Sequence, residues 1–283
     1  MPAAHPLLDC DPAGLRSVFG REPLVFQHRL AERPELRRDA VVALAADIPP
    51  YWLSPVRGEL PLVMPDGLPG EGIEGADAAR HIDDVCCRLV FHYLERLEPY
   101  RRLLFDSLDE VANTIGALEG GLARREAHIF LVSPGSVAPV HYDRHHKVLF
   151  QIEGTKELVL GSFADPTVER AEVERSYLVG HNYAGAVPTM TRTYRLEPGD
   201  ALYLPPYRFH WVAAEPGVSI AFSSGFSTPR TEQIELVHRC NARLRRLRLP
   251  ARPPGRSARG DRVKAGVIRQ GARIRNRIRV SSG

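Results

Sequence analysis

From residue 128 to about 228 the apolar positions fall in short runs: HIFLVSP, APVHYD, KVLFQIEG, TKELVLGS, RTYRLEPGD, ALYLPP, FHWVAAEPG and VSIAFSSGF. They are rich in Val, Ile, Leu, Phe and Tyr and are cut by PG, EG and GD turns, which predicts strands. Many short strands without intervening helices predict a sandwich or barrel rather than a parallel sheet. Residues 1–127 have a different rhythm, helical and mixed. PELRRDAVVALAADIPP has the apolar spacing of a short helix that stops before a double proline, and EPYRRLLFDSLDEVANTIGALEGG predicts another that ends at glycines. RGELPLVMPDGLPGEGIEG at 57–75 reads as loop, and DDVCCRLVFHYLE fits no single period. Past the last strand, EQIELVHRCNARLRRL predicts a helix leading into a Pro/Gly/Arg/Ser-rich, partly disordered end.

At 283 residues, with 43% hydrophobic and 25% charged, the chain has an ordinary globular balance. No basic n-region precedes an apolar run at the N-terminus, and no stretch approaches a membrane span, so a soluble, cytoplasmic protein with no membrane partner is expected. Four cysteines without a CxxC pattern argue against a disulfide framework or a cysteine-rich zinc site. The net charge of +4 conceals a division: residues 239–283 carry fifteen Arg or Lys against one acid, leaving 23 basic and 33 acidic residues, net −10, in the first 238. Such a tail fits contact with an acidic partner or a second subunit. No aromatic is interleaved with its arginines, so base stacking has no platform, which argues against nucleic-acid binding.

Candidate chemistry centres on HYDRHH at 141–146. Eleven His and fourteen Asp make a His-x-Asp pair cheap, and His81-Ile82-Asp83 repeats the spacing. What separates the two is context. Side chains two apart on a strand share a face, so His141 and Asp143 in APVHYD would point together into a barrel. PGDALYLPPYRFHW at 198–211 then supplies His210 from a distant strand, and no third candidate accompanies His81. Two histidines and one carboxylate form a face that suits Fe(II) and leaves positions open for a bidentate co-substrate and dioxygen. The absence of thiolates disfavours structural zinc. At most one of His145 and His146 can face inward with Asp143, by parity His145, and both are expected at the mouth of the barrel or in a bend.

SPGSVAPVHYDRHHKVLFQIEGTKELVL and LEPGDALYLPPYRFHWV resemble the JmjC-like, cupin-type hydroxylases that use iron and 2-oxoglutarate, particularly the branch containing the asparaginyl hydroxylase of hypoxia-inducible factor. The resemblance implies that His141, Asp143 and His210 hold the metal. It also implies that Lys156, thirteen residues after Asp143, binds the distal carboxylate of 2-oxoglutarate. Three positions depart from the family: Ala138 stands where a threonine helps hold the co-substrate, and Lys147 and Ser223 stand where two asparagines assist. Lys147 and Ser223 are retained as candidate co-substrate contacts. The aromatics Tyr142, Tyr203, Tyr207 and Trp211, with His128, read as wall residues, and His181 and Tyr183 lie on an insertion where a substrate lid would be expected.

The expected fold is mainly β, a double-stranded β-helix (jelly-roll, cupin) core at 120–230, with a helical and mixed part at 1–119 packed on it and a C-terminal helix and basic tail at 231–283. The expected activity is hydroxylation of a C–H bond, with Fe(II), 2-oxoglutarate and dioxygen, on a peptide or protein side chain or, second, a small molecule. A cupin metalloenzyme that does not use 2-oxoglutarate and a non-catalytic metal-binding module are the rival readings.

Overall fold

The computed structural model describes residues 6–69 and 72–281. In chain order the elements are β1 (Leu8–Asp9), α1 (Pro12–Val18), β2 (Leu24–His28), α2 (Arg38–Asp47), β3 (Leu53–Arg57), α3 (Gly75–Arg80), β4 (Cys87–Phe91) and α4 (Glu98–Glu119). Then follow β5 (Ala123–Val132), β6 (Val137–His141), β7 (His146–Glu153), β8 (Lys156–Ser162), α5 (Pro166–Val179), β9 (Met190–Leu196), β10 (Asp200–Leu204), β11 (Phe209–Ala214), β12 (Ser219–Ser227), α6 (Pro229–Arg246) and α7 (Ala258–Ser281). Among the described residues no helix is long and apolar enough to cross a membrane.

Local chemistry sets most boundaries. Helix α2 gives way to an extended Ile48 before Pro49, because a residue preceding proline is driven out of the helical region. Helix α4 carries a proline in its first turn and ends at Gly120, whose φ of 72° belongs to the left-handed region. Helix α6 starts in a capping box in which Thr228 and Thr231 satisfy each other's backbone N–H. The β7–β8 turn needs Gly154: its φ is +67°, and a Cβ there would lie 2.2 Å from the Val218 carbonyl oxygen.

The strands build two antiparallel sheets, one of eight strands in the order β1-β2-β10-β7-β12-β5-β4-β3 and one of four in the order β6-β11-β8-β9. Alternation along the strands divides the apolar residues between two layers. Val148, Phe150 and Ile152 of β7, with Ile220, Phe222 and Phe226 of β12, join Leu89, Leu104 and Leu108 in a core between the large sheet and the N-terminal helices. Leu149, Leu202, Leu204 and Ala221 point the other way and meet Leu158, Tyr194 and Leu196 of the small sheet. The jelly-roll core is thus as expected.

Four features differ from the sequence reading. The N-terminal part contributes β1 to β4, which extend the large sheet on both sides. DDVCCRLVFHYLE contains β4; a strand covered on both faces reads as a continuous apolar run, which is why no alternation announced it. Helix α5 interrupts the strand succession between β8 and β9, started by Pro166 and an Asp165 side chain that accepts from Thr167 N. The basic end forms α7, which buries Ala265 and Ile268 rather than remaining solvated.

Phe150, fully buried between His28 and Phe222, tests the outer core. Phe150→Ala is expected to lower the unfolding free energy by about 3–5 kcal/mol. Val267→Ala on the exposed face of α7 should change it by less than about 0.5 kcal/mol. Denaturant unfolding followed by circular dichroism measures both.

Candidate metal centre and co-substrate pocket

Strands β6 and β11 pair so that His141 and His210 are direct cross-strand neighbours. Their ring centroids are therefore only 4.3 Å apart. The two imidazoles are fixed in the same way. Nδ1 of His141 is 2.8 Å from the carbonyl oxygen of Pro139, and Nδ1 of His210 is 2.9 Å from that of Arg208, each two residues upstream. A carbonyl only accepts, so each Nδ1 carries the proton and each Nε2 keeps its lone pair for another partner. Burial, reinforced by the neighbouring His210, holds the His141 pKa well below its ordinary value, which keeps the ring neutral.

Asp143 follows His141 by two residues, just past the end of β6, and its carboxylate lies 3.9 Å from His210 Nε2. The backbone ties the two segments together. The Tyr207 N–H, in a turn with a φ of 63°, donates to the Asp143 carbonyl at 2.7 Å. PGDALYLPPYRFHW therefore delivers His210 and also clamps the loop that carries Asp143. Among the described residues no three His, Cys, Asp or Glu side chains are already drawn into a metal cage. The donor chemistry nonetheless fits a divalent ion, since two imidazoles whose Nδ1 atoms are engaged by backbone carbonyls and one carboxylate face a common space. The competing pair does not assemble: His81 is exposed at the end of α3 against Asp77, Ile82 is buried, and Asp83 pairs with Arg38.

These residues open on a cavity of about 270 Å³ between the two sheets. Lys156 lines it and is only 3% exposed, whereas its neighbour Glu157 points outward. Sequence reasoning missed its companion, Arg88 of β4, which is 8% exposed and has a buried Nε without a hydrogen-bond partner. Burial, and then the nearby Arg88 charge, push the Lys156 amine down to about 7. No carboxylate among the described residues answers either cation. Two buried positive charges without a counter-ion are costly, and an anionic ligand in this cavity relieves that cost.

Lys147, the other candidate lysine, also lines the cavity, but its Nζ is 2.6 Å from Glu126 Oε1. Burial alone would lower its pKa; Glu126 and Asp143 hold it above the ordinary value. Lys147 is thus already neutralised, unlike Lys156. Gly225 opposite leaves room for the pair, since a Cβ there would lie 2.9 Å from Lys147 Nζ. Ser223 is buried in the cavity wall, and Ala138 lies there too.

The extra histidines leave the cavity. The chain bends at residues 144–145, which breaks the parity that would have turned His145 inward. His145 instead lies 3.8 Å from both Glu126 and Glu235, and its interactions with these two carboxylates raise its pKa to about 9. His146 is buried in an aromatic stack with Phe19 and Phe226. The insertion contributes Asn182 and Tyr183 to the wall, with Tyr183 bridging to the His141 backbone. His128 lines the wall as expected, with burial and the Lys147 charge pushing it down to about 3.

Comparison with known proteins bears on the family and the fold. The profile of the family described as "JmjC domain" matches residues 105–234. Jumonji C domain-containing protein 5 of Drosophila melanogaster is 31% identical over a region that is 31% of this chain and 25% of that protein. The chain therefore spans about a quarter of the length of this curated relative. Among solved structures, the Escherichia coli ribosomal oxygenase YcfD in complex with cobalt and 2-oxoglutarate superposes with a TM-score of 0.53 at 16% identity, covering 95% of this chain and 68% of that one. A second structure of YcfD gives a TM-score of 0.56 at 17% identity, covering 94% and 68%. At such identities the structural likeness is one of fold. The chain is JmjC-like over residues 105–234 and shares its jelly-roll fold with these structures.

Proposed function

We propose that the protein is an Fe(II)- and 2-oxoglutarate-dependent oxygenase that hydroxylates a C–H bond on a peptide or protein side chain. The observation that carries this reading is a cavity with two poles. At one end stand two imidazoles and a carboxylate, and at the other two buried cations with no acid beside them among the described residues. A dicarboxylate co-substrate would fit such a pair of poles, with Lys156 and Arg88 holding its distal carboxylate. Arg88 supplies charge in a pocket where Ala138 has removed a hydroxyl, and Ser223 remains a polar wall contact. Lys147 is spoken for by Glu126, so it acts on the electrostatics of the wall and not as a free carboxylate clamp.

His141, Asp143 and His210 would hold the iron, which when bound supplies dioxygen activation coupled to oxidation of 2-oxoglutarate to succinate and CO2. The chain's own residues perform the rest. The Pro139 and Arg208 carbonyls accept from the Nδ1 atoms and so orient both rings, the buried walls exclude water, and Lys156 with Arg88 fixes the co-substrate's orientation. The JmjC-domain match and the name ribosomal oxygenase given to YcfD favour a macromolecular substrate, read here as a peptide or protein side chain, over a small molecule.

With Fe(II), 2-oxoglutarate and air, the protein is expected to release succinate. His141→Ala should abolish this and His81→Ala should leave it unchanged; equal loss from both variants contradicts the assignment. Succinate release measured by mass spectrometry, together with a search for peptides gaining one oxygen, checks the activity and the substrate class.

Lys156 gives a pH-dependent test that needs no metal. Its pKa of about 7 in the ligand-free fold lies below the 10.5 of the unfolded lysine, so its burial costs stability in full below pH 7. That cost declines as pH rises from 7 towards 10.5. An anion binds the protonated amine, so succinate should raise the melting temperature at pH 6, with its affinity falling about tenfold per pH unit above 7. Lys156→Met should raise the melting temperature of the ligand-free protein at pH 6 and remove the succinate response. Differential scanning calorimetry across pH 6–9 measures both, and a succinate response unchanged in Lys156→Met would place the anion elsewhere.

A further inference from the structure

Helix α7 packs across α6 and, with the C-terminal end of α5, encloses a second cleft of about 680 Å³. It lies outside the cavity just described, against the other side of the Asp143 loop, and arginines dominate its lining. Three of them are engaged within the fold. Arg124 pairs with Glu232 and Glu235, Arg239 lies 3.5 Å from Glu235, and Arg144 sits 4.5 Å over the Tyr177 ring. The other four, Arg243 and Arg246 of α6 and Arg269 and Arg273 of α7, are exposed and have no side-chain partner among the described residues.

The acids that could neutralise these four are committed elsewhere. Glu174 is held by Arg245 and Asn241, and Asp261, the one acid of the tail, accepts from the Gly255 N–H. The seat of α7 is also specific: Lys264 Nζ reaches Asn241 Oδ1 at 2.6 Å and the Arg252 carbonyl at 2.7 Å. The four guanidinium groups are thus held close together on packed helices and repel one another, a cost that a multivalent anion removes.

We infer that this cleft binds the phosphodiester backbone of a single-stranded nucleic acid. Arg239, Arg243 and Arg246 form a row one helical turn apart on α6, and Arg269 and Arg273 form another on α7. Neighbours in such a row are about 6 Å apart. A nucleic-acid strand presents a charge at every repeat whatever its sequence, whereas an extended peptide matches such a row only where every second residue is acidic. Guanidinium forks match phosphate oxygens in bidentate fashion, and of the fifteen basic residues in 239–283 only Lys264 is not an arginine. The one aromatic ring in the cleft, Tyr177, is covered by Arg144 and approached by Arg239, so no base stacks there and the backbone alone is read. The lack of a stacking platform seen in the sequence therefore excludes base readout while leaving phosphate contact open.

Fluorescence anisotropy of labelled single-stranded oligouridylate and oligothymidylate with the full-length protein tests this without metal or co-substrate. Both strands should bind with similar affinity, because the 2′-hydroxyl is not read. Neutralising four phosphates predicts a salt slope of about −2.8, or roughly a 50-fold loss between 50 and 200 mM salt. Changing Arg243, Arg246, Arg269 and Arg273 together to Gln should weaken binding by about that same factor and flatten the slope. The matching Arg→Lys variant should retain salt-sensitive binding, and an unchanged melting curve shows that α7 remains seated. The inference is overturned if neither strand binds, if the Gln variant binds as well as the wild type, or if polyglutamate or anionic vesicles bind as tightly as the strands. It is equally overturned if the four Gln substitutions instead dissolve a dimer of this chain.

Discussion

The register between β6 and β11 is the constraint on which the rest of the site depends. His141 opposite His210 brings two imidazoles to adjoining positions, and a slip of one residue would turn one of them to the other face of the small sheet. The register is secured by more than ladder hydrogen bonds. The left-handed Tyr207 turn donates to the Asp143 carbonyl, so the loop carrying the carboxylate and the turn carrying the second histidine hold each other in place. Each imidazole is then oriented by a carbonyl two residues upstream, a local contact that follows once the strand is set.

The second organising feature is an imbalance of charge. Lys147 and Lys156 both face the cavity, yet among the described residues only Lys147 has a carboxylate, Glu126, beside it. Glu126 also meets His145, which meets Glu235, which in turn meets Arg124 and Arg239. One chain of alternating charges therefore runs from the cavity wall to the edge of the arginine cleft. Lys156 and Arg88 stand outside it, and that isolation distinguishes a pocket awaiting an anion from a satisfied ionic network.

Much of this was legible in the sequence where local rules govern. The strand runs, the helix ending before Pro49-Pro50, the shared face of His141 and Asp143, and the remote His210 all follow from periodicity and turn chemistry. Arg88 was hidden because β4 is covered on both faces, so its apolar run carries no alternation to show which residues point into the cavity. Parity made His145 the inward candidate of its pair, but parity holds only while the chain remains extended, and the bend at 144–145, the other expectation for these histidines, ends it. Lys147 could be named from its place four residues after Asp143, but its neutralisation by Glu126 depends on pairing β5, β12 and β7 across the large sheet. The basic end reads as disordered by composition, yet α7 is ordered by the tertiary contacts of Ala265, Ile268 and Lys264.

The central claim is that the histidine pair with Asp143 and the Lys156–Arg88 pole serve one ligand pair in one cavity. Absorption spectroscopy of the anaerobic protein with Fe(II) and then 2-oxoglutarate tests it most directly, because a metal-to-ligand charge-transfer band requires the keto acid to chelate the bound metal. The account predicts a visible band that appears only when both are present, is absent in His141→Ala, and needs far more 2-oxoglutarate in Arg88→Gln. Iron and 2-oxoglutarate each binding without producing the band would contradict it.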